Sequence, residues 1–270
     1  MPSATVNIGR TDSPPWSRNF ELVRISALRQ LKARYRGSFL GVLWSFANPI
    51  LMTGLYTAIF GTAFASYYNG STNRYVFSAF VAVVIVWYFL QATSESLVSV
   101  VSNGGLLNKI QIDPETLPIA AVAANTFQQS ITTFPVILIL AAVVTHDPIR
   151  IVLVPIVLAA FVALVTGFGL ALSALFVFFR DLSYLWGIIG FILWMTSPVF
   201  YPTALVPERV RPWLELNPIG LAIAALREVS LGRGNIDYAL VGASVAVGLF
   251  TLAIGHLTFH ALRGQFMDLL

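Results

Sequence analysis

Apolar residues gather into six long stretches divided by short polar segments: about Phe39–Phe64, Tyr75–Val98, Leu117–Val144, Ile151–Phe179, Tyr184–Val199 and Tyr238–Leu262. A helix needs roughly 20 apolar residues to cross a hydrocarbon layer of about 30 Å. The pattern therefore predicts an all-α membrane protein with six transmembrane helices. Several stretches exceed the minimum length, which predicts tilt or kinks, with Pro49 and Pro135 as the candidate kink sites. Ahead of the first stretch, residues 20–36 repeat with a helical period. Phe20, Val23, Ala27, Leu28, Leu31 and Tyr35 fall within an arc of about 140°, and Arg29, Lys32 and Arg36 lie on the other side. Arg24 and Arg34 fall near the apolar arc. This reads as a basic amphipathic helix lying in the membrane surface. Residues 1–19 are polar and broken by Pro14-Pro15, and read as a flexible cytoplasmic tail. Within the six-span domain of residues 37–270, residues 99–118 form a cytoplasmic loop. Residues 201–236 carry Pro202, Pro207, Pro212 and Pro218 among charged groups. They predict short re-entrant helices on the outer side between the fifth and sixth spans.

Composition agrees. The 270 residues are 57% hydrophobic and 10% charged, with a mean hydropathy of +0.79, whereas soluble domains carry about a quarter charged residues. Most of the surface therefore faces lipid. The absence of cysteine excludes disulfides and thiolate metal sites. The net charge of +4 is informative through its placement rather than as a sign of nucleic-acid binding. With the N-terminus inside, seven Lys or Arg precede the first span, and Lys109, Arg180 and Arg263 bring that side to ten. The other side holds Arg74, Arg150, Arg209, Arg211, Arg227 and Arg233. The bias at the first span places both termini in the cytoplasm.

Motifs for covalent chemistry are absent from the sequence. There is no phosphate loop, since Gly-Lys never occurs, and no H-E-x-x-H. Of the three histidines, His256 and His260 share a helix face in the last span, where packing is the favoured role over ligation. Ionisable residues are nearly missing from the middles of the spans, so ion-coupled transport is disfavoured and the energy is expected from another subunit. The loop Ser102–Pro118 holds a short apolar helix-like piece, from Leu106-Leu107 to Ile112, suited to docking in a groove of a soluble partner. Asn103, Leu106, Leu107, Lys109, Ile110 and Ile112 are its candidate contacts.

Y-R-G-S-x-L-G-x-x-W (Tyr35–Trp44) followed by Pro49, the Asn103–Pro118 loop, F-R-D-L (Phe179–Leu182), S-P-V-F-Y (Ser197–Tyr201), and Asn217-Pro218 with Arg227 beyond occur in that order. In this the chain resembles the membrane subunits of ABC transporters that export polysaccharides, including O-antigen, teichoic acid and capsule exporters. Where that family often has an aromatic-Pro-basic triplet in the inner loop, this chain has Ile112-Asp113-Pro114 and then Glu115. The resemblance implies a homodimeric permease of the bacterial inner membrane, joined to two copies of a separate ATPase subunit that binds ATP and magnesium. This chain would hold no cofactor of its own. The cargo would be a glycan on an undecaprenyl-diphosphate lipid, with Asn103–Pro118 as the coupling segment and residues 203–235 closing the exit.

Other candidate residues follow. Arg29, Lys32, Arg34 and Arg36 suit either the lipid diphosphate or anionic headgroups in general. Trp44, Trp87, Tyr88, Trp194 and Tyr201 suit either the flat faces of sugar rings in a channel or an interfacial aromatic belt. Asn125, Gln128 and Thr132 share one helix face, where they either line a wet path or hydrogen-bond between helices. Arg180 and Asp181 mark the cytoplasmic turn between the fourth and fifth spans, each charge matching a helix dipole. Two other functions remain open: an ABC permease for a drug or small lipid, and a membrane enzyme using Glu95, Glu228 and Asp237 on a lipid-linked sugar.

Overall fold

The computed structural model describes residues 15–39, 41–68, 70–107, 113–202, 205–209 and 217–266. Among these residues the chain is helical throughout, without strands. We number the α-helices α1 (Pro15–Tyr35), α2 (Trp44–Phe64), α3 (Thr72–Ser102), the short α4 (Gly104–Leu107), α5 (Thr116–Ile131), α6 (Thr133–Thr145), α7 (Pro148–Phe178), α8 (Leu182–Thr196), α9 (Pro218–Leu231) and α10 (Tyr238–Leu262). Starts are set by local chemistry. Ser71, Asp147, Asn217 and Asp237 each turn a side-chain oxygen back to a backbone N–H of the first turn of α3, α7, α9 and α10, at 3.4, 2.9, 3.0 and 3.0 Å. Pro148 and Pro218 follow two of these caps, where a missing N–H costs nothing.

The element around Gly41–Phe64, α3, α7 and the element around Tyr238–Gln265 are each long and apolar enough to cross a membrane, and α5 with α6 makes a fifth as one bent span. The bend of 45° falls at Thr132. Pro135 supplies its physical cause, because it has no N–H for the carbonyl of Ile131 four residues back. The fifth apolar stretch is helical only over the 15 residues of α8, shorter than a straight crossing requires. Pro198 disfavours helical geometry at the residue before it, and Ser197 already has extended backbone. The six-span expectation thus meets four long helices, one bent pair and one short apolar helix. Helix α1 begins before residue 20 and packs on α5 through Ala27, Leu31 and Tyr35. Leu28 is exposed although its wheel position shares that arc. Within 201–236, α9 packs on α3, α6 and α7.

Helix α3 is the centre of the bundle. Residues Val81 to Val86 are all at 0% exposure, and 72% of its apolar window is covered, against 11% for the α2 element. The most extensive contact is between α7 and α10, and glycine makes it. A Cβ at Gly255 would meet the backbone of Gly167, one at Gly248 the carbonyl of Ala160, and one at Gly167 the carbonyl of Thr251, all closer than 3.0 Å. These are backbone-to-backbone approaches of the small-residue kind that pack helices in lipid. At the end of the bundle holding Ser71, the buried Arg150 guanidinium donates to the carbonyls of Glu228 and Gly234 and pairs with the Glu228 and Asp147 carboxylates. It thereby caps the C-terminus of α9, where a cation is favoured.

Gly255→Ala or Gly248→Ala should each destabilise the detergent-solubilised protein by about 1–3 kcal/mol, because a backbone neighbour cannot move aside as a side chain can. Gly242→Ala, where the added methyl meets open space, should leave the melting temperature equal or slightly raised. Thermal melts of the three variants check this.

Candidate functional site

Two constellations stand out. The first joins α1, α3 and α5 toward the end of the bundle that holds Ser102. Glu95 lies about two turns before the end of α3. Its carboxylate pairs with the Arg34 guanidinium, accepts from Asn125 Nδ2 at 2.7 Å, and accepts from Gln91 Nε2 at 3.4 Å. Arg34 Nη1 also donates to Asn125 Oδ1 at 3.2 Å and Gln128 Oε1 at 2.7 Å. The position of Arg34 beside the apolar arc of α1 is thereby accounted for: it points at α3 and α5 with the buried residues of its helix. Arg24, Arg29, Lys32 and Arg36 are exposed. Asn125 and Gln128 are buried and bond between helices. Thr132 is buried at the α5–α6 break, where its hydroxyl donates to the Gln128 carbonyl at 2.9 Å.

The second constellation is an aromatic cleft walled by α2, α3 and α8, a cavity of about 430 Å³ lined by Tyr56, Trp87, Trp186, Phe191 and Trp194 among others. Trp87 and Trp194 meet edge to face with ring centroids 6.4 Å apart. Trp194 in turn contacts Phe200, whose ring stacks on Tyr56. Among the described residues, the buried side-chain polar atoms without a hydrogen-bond partner are Thr53 Oγ1, Thr57 Oγ1 and Trp186 Nε1. All three belong to α2 or α8, and Trp186 lines the cleft itself. The cleft therefore presents flat rings with little polar competition, a surface suited to ligands with broad C–H faces.

Not all predicted aromatics share the cleft. Tyr88 follows Trp87 by one residue, a rotation of about 100°, and is fully buried on a different face of α3. Its hydroxyl lies 2.6 Å from Thr126 Oγ1, and its ring packs against Phe134 and Phe161. Tyr201 is half-buried and donates to the Thr196 carbonyl at 2.9 Å. Trp44 is exposed at the start of α2. Arg180 and Asp181 are exposed in the turn joining α7 to α8. The Arg180 guanidinium sits 5.7 Å from the Phe176 ring, and Asp181 occupies the N-cap position of α8. In the proposed coupling segment, Asn103 ends α3, with its side chain donating to the Ser99 carbonyl at 2.8 Å. Leu106 and Leu107 belong to the single turn of α4, and Lys109, Ile110 and Ile112 lie outside the described residues.

A family model for the ABC-2 type transporter matches residues 21–231, from α1 to the end of α9 and so through both constellations. The chain belongs to the ABC-2 type transporter family. This ABC-2 chain is similar over nearly its whole length to several characterised relatives. One is an O-antigen export system permease protein RfbA of Klebsiella pneumoniae, 25% identical over 254 residues that cover 93% of this chain and 95% of the relative. Another is the protein of the same name from Myxococcus xanthus, 26% identical over 243 residues, or 89% and 92% of the two chains. A third is the capsule polysaccharide export inner-membrane protein CtrC of Neisseria meningitidis serogroup B, 24% identical over 235 residues, or 84% and 87%. With its several long apolar helices, this ABC-2 chain is a multi-pass membrane protein.

Sequence reasoning did not find Tyr56 and Phe200 as partners of Trp87 and Trp194. The available signal was a tyrosine in the middle of an apolar stretch, flanked by no interface. It also did not find the pairing of Arg34 with Glu95, although each stood out as a charge near apolar positions.

Arg34→Ala and Glu95→Ala should each lower stability, and the double variant should lose less than their sum, with a coupling of about 1 kcal/mol for this half-exposed pair. The charge-swapped double variant, Arg34→Glu with Glu95→Arg, should recover part of the loss. A double-mutant cycle on thermal melts measures both.

Proposed function

We propose that this chain is the membrane-spanning permease subunit of an ATP-driven exporter of a lipid-linked polysaccharide. The observation that carries the reading is its end-to-end similarity to relatives named as O-antigen and capsule polysaccharide export proteins, within a family of ABC-2 type transporters. The aromatic cleft supports it chemically. Ring faces of Trp and Tyr pack against the C–H faces of sugars without fixing one linkage through strong polar bonds, which suits passage of a long repeating polymer. Trp87, Trp194 and Tyr56 would form that surface.

On this reading the chain crosses the bacterial inner membrane six times, with the bent α5–α6 pair as one crossing and α8 as a short one, and both termini lie in the cytoplasm. Exposed Arg29 and Lys32 on α1, and Arg36 just after it, would meet the diphosphate of an undecaprenyl carrier or neighbouring anionic headgroups. The segment from Asn103 to Pro118 would receive the stroke of a separate ATPase. Two copies of that subunit would bind ATP and magnesium and would serve a dimer of this chain. Residues 203–235, including α9, would close the exit. The chain itself would perform no covalent chemistry.

The decisive experiment reconstitutes the purified chain with and without a partner ATPase subunit. Nucleotide-dependent movement of a lipid-linked glycan is expected only with both proteins, and transport by this chain alone would refute the reading. In that assay Trp87→Ala and Trp194→Ala should each slow export about three- to tenfold, the worth of one lost aromatic contact, while leaving ATP hydrolysis in place. In cells, disruption of the gene should leave finished polymer on the cytoplasmic side, as shown by labelling before and after permeabilisation.

A further inference from the structure

Glu115, His256 and His260 converge at the end of the bundle that holds Ser102, apart from both constellations described above. The two histidines stand four residues apart on α10, with ring centroids 4.2 Å from each other. Glu115 immediately precedes α5, and its carboxylate reaches both rings. Oε1 lies 2.6 Å from His256 Nδ1, and Oε2 lies 3.1 Å from His260 Nε2. One donor atom from each residue lies within 4.8 Å of the others.

We propose that this trio binds a divalent transition-metal ion, with Zn²⁺ as the best match. Two imidazoles and a carboxylate are the protein donors of an open tetrahedral zinc site, whose bonds of about 2.0–2.2 Å place neighbouring ligand atoms about 3.3 Å apart. The donor atoms, all within 4.8 Å of one another, reach that spacing by side-chain adjustment: the two short carboxylate–imidazole contacts open slightly and one carboxylate oxygen turns between the rings. The donor set argues against magnesium and calcium, which take oxygen ligands almost exclusively. The charges agree as well. Two neutral imidazoles and one carboxylate leave a dication partly uncompensated, which suits a site open to water. The His256 and His260 side chains are 50% and 35% exposed against 18% for Glu115, leaving the fourth position to a water molecule.

Bound there, the ion ties the residue that opens α5 to the last long helix. If the segment before Glu115 receives the motion of an ATPase, a consequence that rests on the proposed function, occupancy restrains that motion and Zn²⁺ slows turnover. Metal binding itself stands independently of that reading.

The test uses the full chain in detergent or lipid nanodiscs, purified without a polyhistidine tag. It is titrated with Zn²⁺ against a chromophoric chelator and with Co²⁺ followed by its visible absorption. One ion per chain is expected, with the intense Co²⁺ bands of four-coordinate geometry and affinity falling with pH as protons compete for the ligands. His256→Ala, His260→Ala and Glu115→Gln should each weaken binding at least about tenfold, whereas His146→Ala, at the far end of the bundle, should not. Should the alanine variants fail to fold, His260→Cys keeps the question open to refutation: its thiolate should add a sulfur-to-cobalt charge-transfer band. Absence of stoichiometric uptake, uptake unchanged by the three substitutions, or a cobalt spectrum unaltered in His260→Cys overturns the proposal.

Discussion

The backbone contact between α7 and α10 is the constraint on which the rest of the bundle depends. In lipid, apolar side chains gain little by leaving one hydrocarbon surface for another, so association rests on close approach and dispersion. Gly167, Gly248 and Gly255 let the two helices touch main chain to main chain, closer than any side chain permits. Helix α7 then offers its remaining surface to α3, α5, α6 and α9. It is the common partner of elements that also pack on one another. Helix α3, covered also by α2 and α5, is the most enclosed of the long helices and carries both Glu95 and Trp87.

Charge is handled by a consistent rule. Among the described residues, three arginines drawn partly or wholly out of solvent lie toward the ends of the bundle and are met by oxygen atoms. Arg34 is met by Glu95 and two amides. Arg150 is met by the end of α9, and Arg227 by the carbonyls of Ser78 and Val199 at 3.1 to 3.3 Å. Hydroxyls within the helices largely satisfy themselves on the preceding turn, as Thr93, Thr126, Thr166 and Thr251 do. The departures among the described residues are Thr53, Thr57 and Trp186, and they belong to two of the helices that wall the aromatic cleft.

Much of this was legible in the sequence because hydrophobic runs report burial, in lipid or protein, directly. The six apolar stretches each correspond to helix, and the caps Ser71, Asp147, Asn217 and Asp237 follow from residue type alone. Boundaries moved where local chemistry competed with hydropathy. Pro198 ended α8 before its apolar stretch did, and the effect of Pro135 fell at Thr132, because a missing N–H disturbs the turn before it. The periodicity of α1 set Ala27, Leu31 and Tyr35 on one apolar arc, read as facing the membrane surface; it could not show that this arc packs on α5 or that Arg34 belongs with it, since its partners lie on α3 and α5. Trp87 and Tyr88 show the same limit from another side. Adjacent aromatics of similar character point to different surroundings, and only the identity of the neighbouring helices decides which faces the cleft. Glu115 and the histidines of α10 are separated by more than a hundred residues, beyond the reach of any local pattern.

The bend at Thr132 has an architectural consequence. Helix α6 is about 20 Å long at 1.5 Å per residue, so a 45° turn carries its tip some 14 Å sideways from the line that α5 would have followed. That offset brings α6 into contact with α9, a helix too short to reach from one surface to the other. A single interruption in the hydrogen-bond ladder thus lets one segment serve as a wall at one depth and as a buttress at another, and a fourteen-residue helix gains lateral support.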